Sequence, residues 1–179
     1  FWRFPAKKKI GYQVKDSQIF IEGSPTFLSL KLPGRFNLYN AAAAICVGLS
    51  QGVSLEICKR AVEEIESIPG RMELVAREPF KIFVDYAHTP VALEKVYEAV
   101  SCQLSAVSRM ICVLGAAGGG RDKWKRPELG RIASQYCGEI ILTNEDPYDE
   151  SPEKILDDIA EGAPNAQKIL DRKEAIGKA

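Results

Sequence analysis

The sequence predicts an α/β fold whose second half forms a mostly parallel, doubly wound sheet. Strand-like and helix-like segments alternate there, at 81–84, 91–104, 109–114, 127–137, 139–143, 152–161 and 165–170. Nearly continuous apolar strands between helices are typical of a parallel sheet that is covered on both faces. Each of the first three strands also ends in a loop rich in polar residues or glycine, at the edge where such sheets bind ligands.

The first half predicts a small antiparallel meander followed by two helices. Short runs of alternating apolar residues mark the meander, at 10–14, 18–22 and 26–31. Asn37 is expected to cap an alanine-rich helix that runs to about Leu49, and Ser54 a second helix that runs to about Ile65. An alanine-rich helix packs closely, so we expect the first helix to lie on a sheet.

A domain boundary is predicted at Glu78-Pro79, directly after a strand at 72–77. We therefore expect two domains, at 1–78 and 79–179. The chain does not begin with methionine, and its final helix starts only at about 171. We therefore expect it to be a piece of a longer protein.

Composition limits the classes of function. The 24 Lys and Arg residues balance the 24 Asp and Glu residues, so no net charge favours nucleic acid or an anionic membrane. The five cysteines are scattered without a C-x-x-C pair, which predicts reduced, mostly buried thiols and no metal site. No apolar run is long enough for a membrane span, and we do not expect the N-terminal segment to be a signal peptide because no apolar stretch follows its charges. We expect a cytoplasmic protein.

The loop after the first strand of the second half carries an aspartate, Asp85, and the only histidine, His88. An aspartate at a strand end can hold the hydroxyls of a ribose, and His88 lies where a helix N-terminus favours phosphate. The alternative is structural: Asp85 or Thr89 caps the helix, and His88 only packs.

The loops after the next two strands differ in kind. The loop at 115–127 is rich in glycine and in cations that include Arg121, which suits an anion beside a helix that Pro127 would begin. It matches neither the P-loop nor the dinucleotide fingerprint, and it could equally be a flexible solvated loop. The loop at 143–152 has four carboxylates, which suit a cation or a cationic substrate, or serve as N-terminal charge for a helix that Ser151 caps.

Two further groups lie in the first half. Asn37 and Asn40 are three residues apart at a helix start, where their amides suit an adenine edge or a water bound to phosphate, or simply cap the helix. Arg71 follows a tight turn and suits a bidentate phosphate contact or an ordinary ion pair.

Four segments in this order, G-R-F-N-x-Y-N, P-G-R-M-E, D-Y-A-H-T-P and G-G-G-R-D-K-x-K-R-P, resemble those of the Mur ligases. The resemblance covers about residues 27–179 and is strongest for the tripeptide synthetases, the MurE type. Similar strand ends occur in folylpolyglutamate synthases, but R-D-K-x-K-R-P indicates the Mur branch. The resemblance implies that 79–179 is a Rossmann-like C-terminal, amino-acid-binding domain and that 1–78 is the end of a central ATP-binding domain.

The resemblance also implies an activity, that of an ATP-dependent amide ligase of peptidoglycan synthesis that uses Mg²⁺. Such enzymes phosphorylate the carboxylate of UDP-N-acetylmuramoyl-dipeptide, and the amine of lysine, ornithine or diaminopimelate then attacks the acyl phosphate. The P-loop, the magnesium ligands, a carbamylated lysine and a UDP-binding domain have no counterpart in this sequence. We therefore expect this piece to be inactive alone and to need the preceding segments of the same protein.

Site residues carry over by motif. Asn37 and Asn40 would lie by the nucleotide, with Asn40 near the adenine, and Asp85 would hold the ribose. Arg71 would contact the ATP phosphates and stabilise the charge that develops during transfer. His88 would lie near the same phosphates, so Arg71 and His88 form the implied catalytic pair.

The amino-acid site departs from the family pattern. Arg121 matches an arginine that contacts the incoming amino acid, but Asp146-Pro147-Tyr148 stands where relatives selective for diaminopimelate have N-P-R. Tyr148 thus replaces the arginine that would hold a distal carboxylate, while acids remain at Asp146 and Asp149. This loss of a cation predicts a side chain that ends in an amine, as in lysine or ornithine.

Two other classes of function stay open on the sequence. A binding module for a nucleotide or amino acid would use the same loops without catalysis. An oxidoreductase is suggested only by glycines after a strand, and it lacks both the dinucleotide fingerprint and the following acid.

Overall fold

The computed structural model describes residues 12–15, 18–21, 24–104, 109–120 and 122–179. The chain forms two compact units, Phe1–Tyr86 and Ala87–Ala179. Each unit has its own apolar core.

The first unit begins with the predicted antiparallel meander. Strands β1 (Tyr12–Lys15), β2 (Gln18–Ile21) and β3 (Ser24–Thr26) pair in sequence order. The third strand is shorter and earlier than the expected 26–31, because Ser24 and Pro25 already pair with β2. Leu28 and Leu30 still pack on the core from an irregular segment, so their alternation reflects burial rather than a ladder of hydrogen bonds. The predicted strand and turn residues at 10–11, 16 and 22–23 lie outside the described residues.

Two helices cover this meander, α1 (Phe36–Ser50) and α2 (Leu55–Glu64). The core between them is made of buried apolar side chains from both layers, namely Ile19, Ile21, Ala41, Ala42, Ile45, Cys58 and Val62. Ser54 caps α2 as predicted, by accepting the N–H of Ile57 at 3.4 Å. The prediction that Asn37 caps α1 is wrong, because α1 begins one residue before it and has no side-chain cap, while the Asn37 amide donates to the carbonyl of Pro33.

A two-stranded hairpin of β4 (Glu73–Ala76) and β5 (Ile82–Val84) ends the first unit. The strands are antiparallel, with Glu73 opposite Val84. The expectation that the run at 81–84 opens the parallel sheet is therefore wrong in its pairing. The connection between the two strands is too short for a crossover, and Ile82 and Val84 are exposed rather than covered on both faces.

The second unit has the predicted α/β alternation. Its elements in order are α3 (Pro90–Ser101), β6 (Ile111–Leu114), α4 (Lys125–Tyr136), β7 (Glu139–Leu142), α5 (Pro152–Ala160), β8 (Gln167–Lys168) and α6 (Arg172–Lys178). Strands β6, β7 and β8 form a parallel sheet in that order. The core includes Leu114, Leu129, Ile132, Leu142 and Ile159, which join the sheet to the helices. The predicted α/β class is confirmed in this unit.

The predicted caps of α3 and α5 are confirmed, whereas the predicted start of α4 is wrong. Thr89 caps α3, which leaves Asp85 for another role, and Ser151 caps α5 ahead of Pro152. Pro127 does not begin α4, which starts at Lys125 without a side-chain cap.

Within the described residues, no helix has both the length and the apolar character that crossing a bilayer requires.

All five cysteines lie within the described residues, and none of them is joined in a disulfide. Cys58 and Cys112 are buried, and Cys46 and Cys137 are partly buried, as expected of small apolar side chains. Cys102 is exposed at the end of α3, so the expectation of burial is wrong there.

Candidate functional site

The turn before β4 is fixed by backbone hydrogen bonds and presents Arg71. The N–H of Arg71 donates to the carbonyl of Ile68 at 3.0 Å, and the N–H of Gly70 donates to a carboxylate oxygen of Glu73 at 2.8 Å. Met72 then adopts a left-handed conformation, with φ +48°, and buries its side chain. Such a conformation is uncommon outside glycine and persists only where its surroundings hold it.

Asp85 supplies one of those restraints. Its Oδ2 atom accepts the N–H of Met72 at 2.7 Å, so the end of β5 is tied to the turn before β4. Asp85 is half-buried, and this bond orients its carboxylate through the backbone.

Tyr86 brings Arg71 to the same place. The Arg71 guanidinium carbon lies 4.9 Å from the centre of the Tyr86 ring, and both side chains are exposed. A guanidinium over an aromatic ring is attracted by the ring face, and its N–H donors remain able to reach a phosphate. The structure thus brings Arg71 and Asp85, two of the predicted site residues, to one end of the β4–β5 hairpin.

The other predicted nucleotide residues belong to other elements of the chain. His88 is exposed one residue before the Thr89 cap of α3, in the second unit. Asn37 and Asn40 form their own group at the start of α1. Asn37 is buried and donates to the carbonyl of Pro33 at 2.7 Å, and Asn40 donates to Asn37 Oδ1 at 3.0 Å. Asn37 therefore has a structural role, and the exposed Asn40 is the member of the pair that a ligand can reach.

In the second unit, the glycine-rich loop after β6 and the acidic loop after β7 are held against each other. The N–H of Gly118 donates to the carbonyl of Asp146 at 2.8 Å, and the N–H of Gly120 donates to Glu150 Oε1 at 2.8 Å. A Cβ at Gly118 would overlap the carbonyl of Pro147. The absence of a side chain at Gly118 lets the second loop approach, which the sequence did not predict.

Arg126 lies beneath both loops and is completely buried. Its guanidinium donates to both oxygens of Glu150 at 3.1 Å, to Asp158 at 2.8 Å and to the carbonyl of Ala117 at 3.3 Å. Two carboxylates compensate one buried cation, and Lys123 adds an ion pair to Glu150 at 2.9 Å. The sequence indicated only that the glycine-rich loop is rich in cations, and it did not predict that Arg126 would be buried or that Glu150 and Asp158 would compensate its charge.

The electrostatics of Glu150 follow from these partners. The Arg126 guanidinium, the Gly120 N–H and the Lys123 ammonium all favour the ionised carboxylate, in that order, and lower the pKa of Glu150 to about 2. Glu150 is thus charged at any physiological pH, and its oxygens already serve the protein. The positive charge that the sequence offered for an anion is largely compensated within the loops.

The residues between these anchors are the exposed ones. Asp146, Tyr148 and Asp149 reach the surface, and 66% of Tyr148 is exposed. The Tyr148 ring lies over Gly119, 3.3 Å from where a Cβ would be, with its backbone at φ +52°. Arg121, the fourth predicted substrate residue, lies outside the described residues. Three of the four therefore share one loop whose two ends are fixed.

Among the residues that the structure describes, no group of three or more His, Cys, Asp and Glu side chains could hold a metal ion. The acids after β7 are divided between anchoring, at Glu150, and exposure, at Asp146 and Asp149. These residues do not fit a magnesium site of their own.

Comparison with known proteins gives the family. A family model described as "Mur ligase, glutamate ligase domain" matches residues 70–179. The UDP-N-acetylmuramoyl-L-alanyl-D-glutamate--2,6-diaminopimelate ligase of Aquifex aeolicus is 39% identical over 165 residues, which are 90% of this chain and 33% of that protein. A UDP-N-acetylmuramyl-tripeptide synthetase of Roseiflexus sp. is 43% identical over 150 residues, which are 83% of this chain and 27% of that protein. The chain thus spans about a third of the length of these relatives.

Solved structures agree with this assignment. One of a UDP-N-acetylmuramoyl-L-alanyl-D-glutamate--2,6-diaminopimelate ligase has a TM-score of 0.55 at 28% identity, covering 95% of this chain and 37% of that one. The Mycobacterium tuberculosis folylpolyglutamate synthase complexed with ADP and AMPPCP has a TM-score of 0.72 at 16% identity, covering 97% and 41%, and shares the fold. Because the family model matches more than half of the sequence and these relatives align with most of it, the chain belongs to the Mur ligase family.

Proposed function

We propose that this chain is the C-terminal part of an ATP-dependent amide ligase that adds a diamino acid to UDP-N-acetylmuramoyl-dipeptide in peptidoglycan synthesis. The observation that carries the proposal is that Arg71 and Asp85, a cation and an oriented carboxylate, flank the same end of the β4–β5 hairpin. Relatives whose names state this activity support it. In this proposal residues 1–78 end the central ATP-binding domain, and 79–179 form the amino-acid-binding domain.

The proposed reaction has two steps. The substrate carboxylate attacks the γ-phosphate of ATP to give an acyl phosphate and ADP, and the amine of the incoming amino acid then displaces phosphate to form the amide. Arg71 would stabilise the negative charge that develops on the transferring phosphoryl group. The contact with the Tyr86 ring would help to hold the Arg71 guanidinium in place. His88 would lie near the same phosphates. Magnesium would be held by residues outside this segment.

Asp85 would hold the ribose of the nucleotide. Ribose hydroxyls donate to a carboxylate, and the bond from the Met72 N–H orients this one. Asn40 would contact the adenine from its exposed position, and Asn37 would support it through their mutual hydrogen bond.

Asp146, Tyr148 and Asp149 would recognise the incoming amino acid together with Arg121. Exposed carboxylates on a fixed loop suit a side chain that ends in an ammonium group, and Tyr148 offers no charge to a distal carboxylate. We therefore propose lysine or ornithine as the preferred amino acid. Several relatives are named as diaminopimelate ligases instead, so the choice among lysine, ornithine and diaminopimelate is a direct test.

The test is the rate of ADP release by the full-length protein with UDP-N-acetylmuramoyl-dipeptide and each of the three amino acids. The ligase proposal expects turnover that depends on an added amino acid, and turnover without that dependence contradicts it. A wide preference for diaminopimelate would contradict the lysine or ornithine specificity alone.

Matched variants test the nucleotide site. Arg71→Ala should lower kcat by about 10²-fold, because one preorganised donor to the transition state is lost. Arg60→Ala removes a similarly exposed arginine whose partner, Glu64, lies 3.9 Å away on the same helix, and should leave kcat unchanged. Asp85→Asn should raise the KM for ATP by about tenfold, since a charged acceptor becomes neutral. Equal effects of Arg71→Ala and Arg60→Ala would contradict the assigned role.

A further inference from the structure

The contacts of Arg126 connect three segments that are distant in sequence. Its partners Glu150 and Asp158 lie 24 and 32 residues away, and Ala117 precedes it by nine. Glu150 belongs to the acidic loop, Asp158 to α5, and Ala117 to the glycine-rich loop. Arg126 is therefore placed so that one buried guanidinium sets the positions of both loops relative to α5.

Glu150 is the central member of this arrangement. Oε1 accepts from both Arg126 and the N–H of Gly120, while Oε2 accepts from Arg126 and pairs with Lys123. Its side chain is 12% exposed. Three donors on one carboxylate fix its position, and the chain directly before it, Asp146 to Asp149, has little freedom at that end. The other end is fixed by the bond from the Gly118 N–H to Asp146.

We infer that Arg126 and Glu150 are positioning residues for amino-acid recognition, because they clamp the loop that presents Asp146, Tyr148 and Asp149. This inference rests on the proposed function of that loop. Neither residue touches the amino acid in this arrangement. Their effect is to hold the three exposed side chains in one geometry before the substrate arrives, so that binding does not have to order the loop.

The arrangement offers its own matched control. Glu150→Gln and Asp158→Asn each remove one carboxylate charge from the same buried guanidinium and leave the other. Both variants therefore disturb the buried ion pair. Only Glu150 belongs to the acidic loop and accepts a hydrogen bond from the glycine-rich loop, at Gly120. A purely structural role predicts similar effects of the two changes, whereas a positioning role predicts a difference in amino-acid recognition.

The experiment measures kcat and both KM values in the full-length ligase, with lysine as the amino-acid probe. Glu150→Gln should raise the KM for lysine by about tenfold or more, since small displacements of positioning groups have effects of this size. The KM for ATP should stay unchanged. Asp158→Asn should leave both KM values close to those of the parent protein.

Amide hydrogen exchange of residues 115–120 gives a second readout that does not need activity. Glu150→Gln should speed exchange at Gly120 and Gly118, whose N–H groups donate to the clamped loop, and Asp158→Asn should not. If Glu150→Gln does not fold, Glu150→Asp retains the charge but is too short to span Arg126 and Gly120 together.

Equal changes in the lysine KM for the Glu150 and Asp158 variants, or unchanged exchange at 115–120, would overturn the inference. The parent protein separates this result from a failure of the proposed function. Turnover by the parent that ignores the amino acid refutes the ligase and the inference together, whereas an amino-acid-dependent parent with indistinguishable variants refutes the inference alone.

Discussion

Replacing Gly130 by alanine tests how closely α4 packs on α5. Gly130 is buried in the middle of α4, and a Cβ there would overlap the carbonyl oxygen of Ile159 and lie 3.1 Å from the N atom of Ala163. Both obstacles are main-chain atoms, so no side chain can rotate away. Relief requires α5 to move by an amount on the order of 1 Å, which separates Leu129 and Ile159 in the core.

Two effects of opposite sign determine the outcome. Alanine is favoured over glycine inside a helix by about 1 kcal/mol. Overpacking costs about 1–3 kcal/mol, and a rigid obstacle places Gly130→Ala at the upper end of this range. We therefore expect a net loss of about 2 kcal/mol in the free energy of unfolding, or about 4–8 °C in Tm for a protein of this size.

The assay is thermal unfolding followed by far-UV circular dichroism. The control is Gly177→Ala in α6, where a Cβ would meet nothing within 4 Å. Propensity alone acts there, so Tm should rise slightly, by less than the equivalent of about 1 kcal/mol near a helix end. A Gly130→Ala variant as stable as the parent, or more stable, would refute the close packing.

Three further predictions concern the loop after β7. The pKa of Glu150 is lowered from 4.5 to about 2, so its stabilising effect is present above pH 4.5 and is lost as the pH falls towards 2. Between about pH 5 and pH 3, the free energy of unfolding measured by urea titration should therefore fall less for Glu150→Gln than for the parent protein. Tyr148→Arg supplies a guanidinium for a distal carboxylate and should increase the preference for diaminopimelate over lysine by about tenfold in kcat/KM, whereas an unchanged ratio would place the selective contact elsewhere. Ser151→Ala removes the acceptor for the Lys154 N–H at the start of α5 and should cost about 1 kcal/mol in chemical denaturation, a loss that Ser151→Asp should largely avoid.

The sequence predicted the order of helices and strands in the second unit because most of these elements are specified locally. Apolar strands of four residues, a serine before a proline and a threonine before a proline mark their own starts and ends. Pairing is not specified locally, and Ile82–Val84 shows this. The same apolar run fits a parallel sheet or a hairpin, and only the short return from β4 decides between them.

The candidate site was predictable in its exposed residues and not in its support. Asp85 and Arg71 follow from a strand end and a turn, which are visible in the sequence. The burial of Arg126 is not visible, because its compensating acids are 24 and 32 residues away and a buried arginine is rare. The cap prediction for Asn37 was wrong for a related reason, since an amide can donate as readily as accept and the position does not indicate which.

The contact between the glycine-rich and acidic loops limits how this protein can change in evolution. Lengthening the acidic loop by one residue would move Glu150 away from Arg126 and Gly120, and a side chain at Gly118 would push Pro147 outwards. A loop taken from a relative with another amino-acid preference can therefore function here only if it arrives with its own glutamate in register and meets glycines on the facing loop. Grafts that keep this glutamate in register should yield folded chimaeras, and grafts that shift it should not.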